Sequence, residues 1–227
     1  MNTSMNESYL KLKWNIAGTF DEFPMFINQL NDQKKMLPDN NKNDRKKIDN
    51  WISQIDTINE EIQTIKLKKI PFLEKKLQYT FNDPDLVVLT FIQPGIRSLF
   101  GELSKFYKKA GIDYDFETDL NLDQAAKVLA FIGDAAIDLA LAQVLWQPNI
   151  SNVGKLTKQR SDIASNENLA KVCDKWDLYT SRIPNKVSRT NKEKTNHAKG
   201  TIIEALFGVI YAESGLNSVV SSIVVLK

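Results

Sequence analysis

LAFIGDAAIDLAL, residues 129–141, is the stretch that most constrains this chain. Read as a helix, it directs Leu129, Phe131, Ile132, Ala135, Ala136, Ile137, Leu139, Ala140, Leu141 and Ala142 to every side, so a helix over 122–146 must sit at the centre of the fold. Only Asp134 and Asp138 interrupt it, four residues apart and therefore on one face. GTIIEALFGVIYAESG repeats the pattern, with Ile202, Ile203, Ala205, Leu206, Phe207, Val209, Ile210 and Tyr211 around a lone Glu204.

Each helix also carries a glycine near its acid, Gly133 beside Asp134 and Gly208 one turn after Glu204. Glycine inside a helix costs about 0.5–1 kcal/mol, and close approach of two backbones is one thing that offsets it. The two helices are expected to cross at these glycines and bring Asp134 and Glu204 together. Like charges in a low dielectric repel, so the acids pair with buried Lys or Arg, lie at a helix end, or share a cation, and the pattern alone leaves these open. With one histidine, His197, in the whole sequence, a multi-histidine metal cluster is excluded within one chain. Converging carboxylates suit a hard ion such as Mg²⁺ or Mn²⁺.

Elsewhere helical patterns recur over 72–78, 84–92, 96–110, 153–160, 164–175 and 198–213, followed by a short tail helix, and no segment alternates with the period of a strand. The fold class is all-α. Residues 1–37 hold amphipathic material. Pro38–Lys47, polar and aperiodic, reads as a linker or exposed loop. Ile48, Trp51, Ile55, Ile58, Ile62 and Ile65 then fall at heptad spacing within 48–70. That stripe packs either on the same chain or on a partner at the N-terminal helix, and the sequence leaves both open. Residues 1–71 form a helical extension and 72–227 the main domain on this reading.

A net charge of +2 gives no bulk argument for nucleic-acid binding, so local patches must carry it. The single cysteine, Cys173, fits a reducing compartment. The N-terminus lacks the pattern of a signal peptide, and no apolar run approaches membrane-spanning length, so the expectation is a cytoplasmic protein without a membrane contact.

LAFIGDAAIDL followed by GTIIEALFGVIYAESGL resembles the ribonuclease III family, whose nuclease domain carries motifs of the form LEFLGDA and DTFEALIGAIYLDGG. LEKKLQYTFNDPDLVVLTFIQPG looks like that domain's opening helices, and GKLTKQRSDIASNENLAKVCDKWDL like its middle segment, usually GELTKLRASLVSNENLA. The order and spacing agree, so the resemblance covers about residues 72–227. It implies a helical nuclease domain, Mg²⁺ held by Asp134 and Glu204 (Mn²⁺ as an alternative), and cleavage of double-stranded RNA by a homodimer. The products would carry 5′-phosphate and 3′-hydroxyl ends.

Two of the family's usual acids are replaced, by Ala130 and Thr201, and a third common glutamate by Lys127. The short Mini-III branch is similar in this respect: it has LAYIGDA, a threonine before its FEAL segment, and an acid at the position of Asp138. By that likeness Asp134 and Glu204 are the retained catalytic pair, with Asp138 an outer-shell or second-metal group. The competing reading is a catalytically silent ribonuclease III fold serving as an RNA-binding or ribosome-associated component.

With the sequence stopping at Lys227, no double-stranded-RNA-binding domain is expected after the nuclease domain. RNA contacts are then expected from Lys155, Lys158 and Arg160, and from Lys186, Arg189, Lys192, Lys194 and Lys199 in the basic loop leading to Glu204. His197 reads as a surface or capping residue. Ser165, Asn166 and Asn168 read as caps of the helix that follows.

Overall fold

The computed structural model describes residues 16, 18–38, 40–146, 152–184 and 192–227, with backbone only for 192–194. Among them there is no strand; one isolated parallel bridge joins Ile92 to Ile183. The fold is all-α, as the periodicities require.

The helices begin and end where side chains satisfy their open backbone groups. Helix α1 (Phe23–Met36) starts with a proline in its first turn and stops at Leu37, which is extended because Pro38 follows. The Asn41 side chain accepts from the Asp44 amide, so helix α2 (Lys42–Thr64) begins inside the expected linker and shortens it to a few residues. Beyond α2 the chain does not break. Ile65–Lys69 is a π-turn leading straight into α3 (Ile70–Leu77). Pro71 has no N–H, and its ring would strike the carbonyl four residues back in a regular α-helix; the wider turn just before it relieves that clash.

A boundary between residues 71 and 72 therefore falls inside a continuous helical run and divides nothing structurally. A shared core says the same. Phe20, Phe23 and Phe26 of the N-terminal segment are buried against Phe100, Tyr107 and Phe116, with the Phe26 and Phe116 rings stacked at 5.7 Å. Lys66 of the π-turn meets the buried carboxylate of Asp85 at 2.7 Å, and the Gly18 amide donates to the same side chain. The heptad stripe is likewise covered from within: Ile48, Ile55, Ile62 and Ile65 are fully buried, and the Trp51 indole N–H donates to Glu102 at 2.8 Å. Helix α1 packs on α2, with a Lys34–Asp49 ion pair between them. Of the two readings left open for that stripe, packing on the same chain is the one the structure shows.

Helix α4 (Pro84–Leu89) is capped by Asp83, and α5 (Gly95–Ala110) ends at Gly111, whose φ of 70° a side chain would resist. The long helix α6 (Glu117–Leu145) is followed by α7 (Val153–Ala164), α8 (Asn166–Lys175) and α9 (Lys192–Ser222), which Gly215 kinks near its end. Ser165 caps α8 by accepting from the Asn168 amide at 3.2 Å. Asn168 donates in turn to the carbonyls of Ile163 and Leu226.

Helices α6 and α9 form the centre. By length and composition both are apolar enough to span a membrane, but half of the α9 window is buried inside the protein, and the two helices pack chiefly on each other. Their fates differ. Ile202, Ile203, Ala205, Leu206, Phe207, Val209 and Ile210 are buried on all sides of α9. On α6 one face is open: Phe131 is 78% exposed, Trp146 65%, Leu139 56% and Val128 42%. The expectation that α6 is enclosed all round is thus corrected. Its apolar residues do point everywhere, but the chain covers only one side.

Candidate active site

The crossing of α6 and α9 sets the geometry. A Cβ added to Gly133 would lie 1.7 Å from the Glu204 carbonyl oxygen and 2.6 Å from the Gly208 nitrogen. One added to Gly208 would lie 2.0 Å from the Leu129 carbonyl oxygen. Backbone touches backbone here, and no residue larger than glycine fits at either position.

This contact fixes the height of Glu204 on α9 against Asp134 on α6. Asp134 lies on the open side of the crossing, with Glu204 partly buried beside it. Burial, and after it the Asp134 charge, pushes the Glu204 carboxyl up to about 7. Among the described residues neither acid forms an ion pair with a lysine or arginine, so the alternative of basic partners does not apply to this pair. A half-buried carboxylate facing a second one at a half-open crossing attracts a cation.

The other predicted positions resolve less uniformly. Asp138 pairs with a base from another helix: its Oδ2 lies 3.3 Å from Nη1 of Arg160 on α7. Ala130 is buried, and Thr201 donates back to the His197 carbonyl at 3.0 Å, so neither supplies a ligand. Lys127 is paired at 3.1 Å with the buried Asp123. Among the described residues no three acid, cysteine or histidine side chains come together as a ready metal cage. Two carboxylates still fit Mg²⁺, which dehydrates reluctantly and is commonly held by one or two protein carboxylates together with substrate phosphate oxygens.

Of the basic residues, Lys158 is exposed and forms a 2.9 Å pair with Asp162. Lys199 is engaged by Asp174 at 2.7 Å and lies over the Tyr179 ring. Lys155 sits in the first turn of α7, which Asn152 caps. Lys186 and Arg189 lie outside the described residues, as do the side chains of Lys192 and Lys194. The SNEN segment lies against the site helix, since a Cβ on Gly200 would meet the Asn166 Oδ1 at 2.6 Å.

Besides Asp85, three further buried acids escaped the sequence reading. Asp119 and Asp123 occupy the first turns of α6, which begins earlier than the apolar run suggested, and their spacing with Lys127 was the available signal. Glu213 accepts from the Tyr79 hydroxyl and from the Asn82 and Asp83 amides, tying the α3–α4 connection to α9.

Residues 127–215, which contain both acids and both crossing glycines, match the family model described as Ribonuclease III domain. Over that segment the chain is similar to the ribonuclease III domain. It is 27% identical over 156 residues to Ribonuclease 3 of a Nitratiruptor species, covering 67% of this chain and 58% of that protein. It is also 27% identical over 158 residues to Ribonuclease 3 of Mycoplasma genitalium, covering 68% and 53%. Against Endoribonuclease Dicer homolog 3b of Oryza sativa subsp. japonica it is 28% identical over 116 residues, 51% of this chain and 6% of that one. The chain thus spans little more than half the length of these bacterial relatives. The matched segment holds the α6–α9 crossing together with Asp134 and Glu204.

Proposed function

We propose that this protein is a metal-dependent endoribonuclease that cuts double-stranded RNA as a homodimer, leaving 5′-phosphate and 3′-hydroxyl ends. The observation that carries the reading is the pair of carboxylates, Asp134 and Glu204, held without a basic partner among the described residues where Gly133 and Gly208 let the helices touch. A bound Mg²⁺ or Mn²⁺ supplies a water of lowered pKa and polarises the phosphoryl oxygens. The protein's part is to hold two carboxylates together on rigid helices, where the half-desolvated Glu204 beside Asp134 gains from a neutralising cation. Asp138, one turn beyond Asp134, orients Arg160 toward a phosphate-bearing ligand.

The open α6 face supports the homodimer. Val128, Phe131, Leu139 and Trp146 leave apolar side chains in water beside Asp134, and a groove of about 290 Å³ between α6 and α7 opens along the same face. A second copy would cover them and set two sites on one duplex. Lys155, Lys158 and the basic loop would meet phosphates. The protein would work in the cytoplasm, with Cys173 buried and its thiol pushed up to about 12 by that burial.

Ala130 and Thr201 favour a second reading, a silent RNA-binding or ribosome-associated component, because neither contributes a ligand. Incubating long double-stranded RNA with the protein and Mg²⁺ or Mn²⁺, beside Asp134→Asn and Glu204→Gln, separates them. Cleavage by the parent, lost in both variants, supports the enzyme. RNA that is bound and never cut with either metal overturns it in favour of the second reading.

A further inference from the structure

Away from the active site, at the start of α6, one phenolic proton faces two carboxylates. The Tyr114 hydroxyl lies within hydrogen-bond reach of Glu22, in the 3₁₀ turn Thr19–Glu22, and of Asp119 Oδ2 in the first turn of α6, at 3.2 Å. A phenol can donate to only one of them. Asp119 is 1% exposed, and its Oδ1 is buried with no hydrogen-bond partner. Around it stand the rings of Phe26, Tyr107, Tyr114 and Phe116, with the Tyr114 and Phe116 centroids 4.6 Å apart.

The charged and titratable groups facing Asp119 do not supply the missing proton. Glu22 and Asp115 both add negative charge, Tyr107 on α5 keeps its own hydroxyl proton, and Asp123 one turn along α6 is already paired with Lys127. Among the described residues no basic side chain forms an ion pair with Glu22 or Asp119.

We propose that Glu22, Tyr114 and Asp119 form a proton-holding latch that fastens the N-terminal helical segment, Thr19–Met36, to the start of α6. With Asp119 protonated, its hydroxyl donates to the Tyr114 oxygen, and Tyr114 donates to Glu22. Every oxygen along that path then has a role. When Asp119 releases its proton, one carboxylate loses its donor while still desolvated, and the segment is held less firmly. Burial, followed by the Glu22 and Asp115 charges, raises the Asp119 carboxyl to about 7, which sets the latch near neutrality. The unfolded chain releases this proton near pH ~4. The folded protein therefore holds more protons between about pH 4 and 7, and the latch's contribution is full at the acid end and lost as pH rises through about 7.

The test is thermal melting of the metal-free parent, Asp119→Asn and Tyr114→Phe at pH 5.5 and 8.0. Glu204 and Glu213 titrate in all three, so differences between the proteins isolate the latch. The parent should lose several degrees more than Asp119→Asn on going to pH 8.0, on the scale of about 4–8 °C per kcal/mol for a small domain and less for a larger one. Tyr114→Phe should be most impaired at pH 5.5, where the latch is closed. Parallel pH dependences in parent and Asp119→Asn would overturn the proposal. If Asp119→Asn does not fold, the carboxyl ¹³C titration of Asp119 in the parent decides: a midpoint near 7 supports the latch, and one below 5 sinks it.

Discussion

The carbonyl oxygen of Glu204 occupies the space in which a side chain on Gly133 would begin, 1.7 Å from the position its Cβ would take. One backbone contact thereby sets both the packing of the two central helices and the separation of the two acids. Gly133→Ala and Gly208→Ala must push α6 and α9 apart, at a cost of at least about 3 kcal/mol, because backbone cannot swing aside as a side chain can. Gly101→Ala is the control: it lies within α5 with nothing inside 4 Å of its would-be Cβ, and should gain about 0.5–1 kcal/mol. Urea denaturation of the three variants measures this.

Glu204→Gln should stabilise the metal-free protein above pH 7. The folded carboxyl holds its proton up to about 7 and the unfolded one releases it near 4.3, so the parent loses stability as pH rises across that window. Discounted for partial exposure, the gain from the neutral amide is about 1–2 kcal/mol at pH 8. Adding Mg²⁺ should raise the melting temperature of the parent at pH 8 and leave Glu204→Gln and Asp134→Asn nearly unmoved. Calorimetric scans with and without the metal check both statements.

If the proposed homodimer forms through the open α6 face, Phe131→Asp should abolish it without unfolding the subunit, since the ring is 78% exposed in the single chain. Sedimentation is expected to show the mass of one chain for the variant and two for the parent, with far-UV circular dichroism unchanged.

Ile55→Ala should cost about 2–5 kcal/mol, the range for truncating a fully buried aliphatic side chain. The native species should keep its mass in sedimentation, because the stripe is closed by this chain's own helices. A change of mass without loss of stability would return the stripe to a partner.

Lys155→Ala should weaken RNA binding similarly for duplexes of any sequence and lower the slope of log affinity against log salt by about 1, the signature of one lost phosphate contact. Lys199→Ala should also lower stability, because that ammonium is 16% exposed and paired with Asp174. Binding titrations at several salt concentrations separate the two.

Much of this was legible in the sequence because it rests on local rules. The period of the apolar residues yielded the all-α class and the course of most helices, and glycine beside a lone acid in two otherwise apolar helices foretold the crossing. Asp119, Asp123 and Glu213 were not legible, because an acid at the end of an amphipathic pattern reads as solvated until burial is known. The pairing of Asp138 with Arg160 was hidden too, since it joins residues from different helices.

What the sequence determined by itself was which surfaces are apolar and which residues are small enough for backbones to meet, for these are properties of side chains and their spacing. Only the tertiary structure decided what covers each surface. The Ile48–Ile65 stripe is closed by the chain's own helices, while the open face of α6 is left in water. Both are apolar stripes on long helices, and periodicity cannot tell them apart. The difference arises because which side of a central helix stays bare depends on where the other helices have packed.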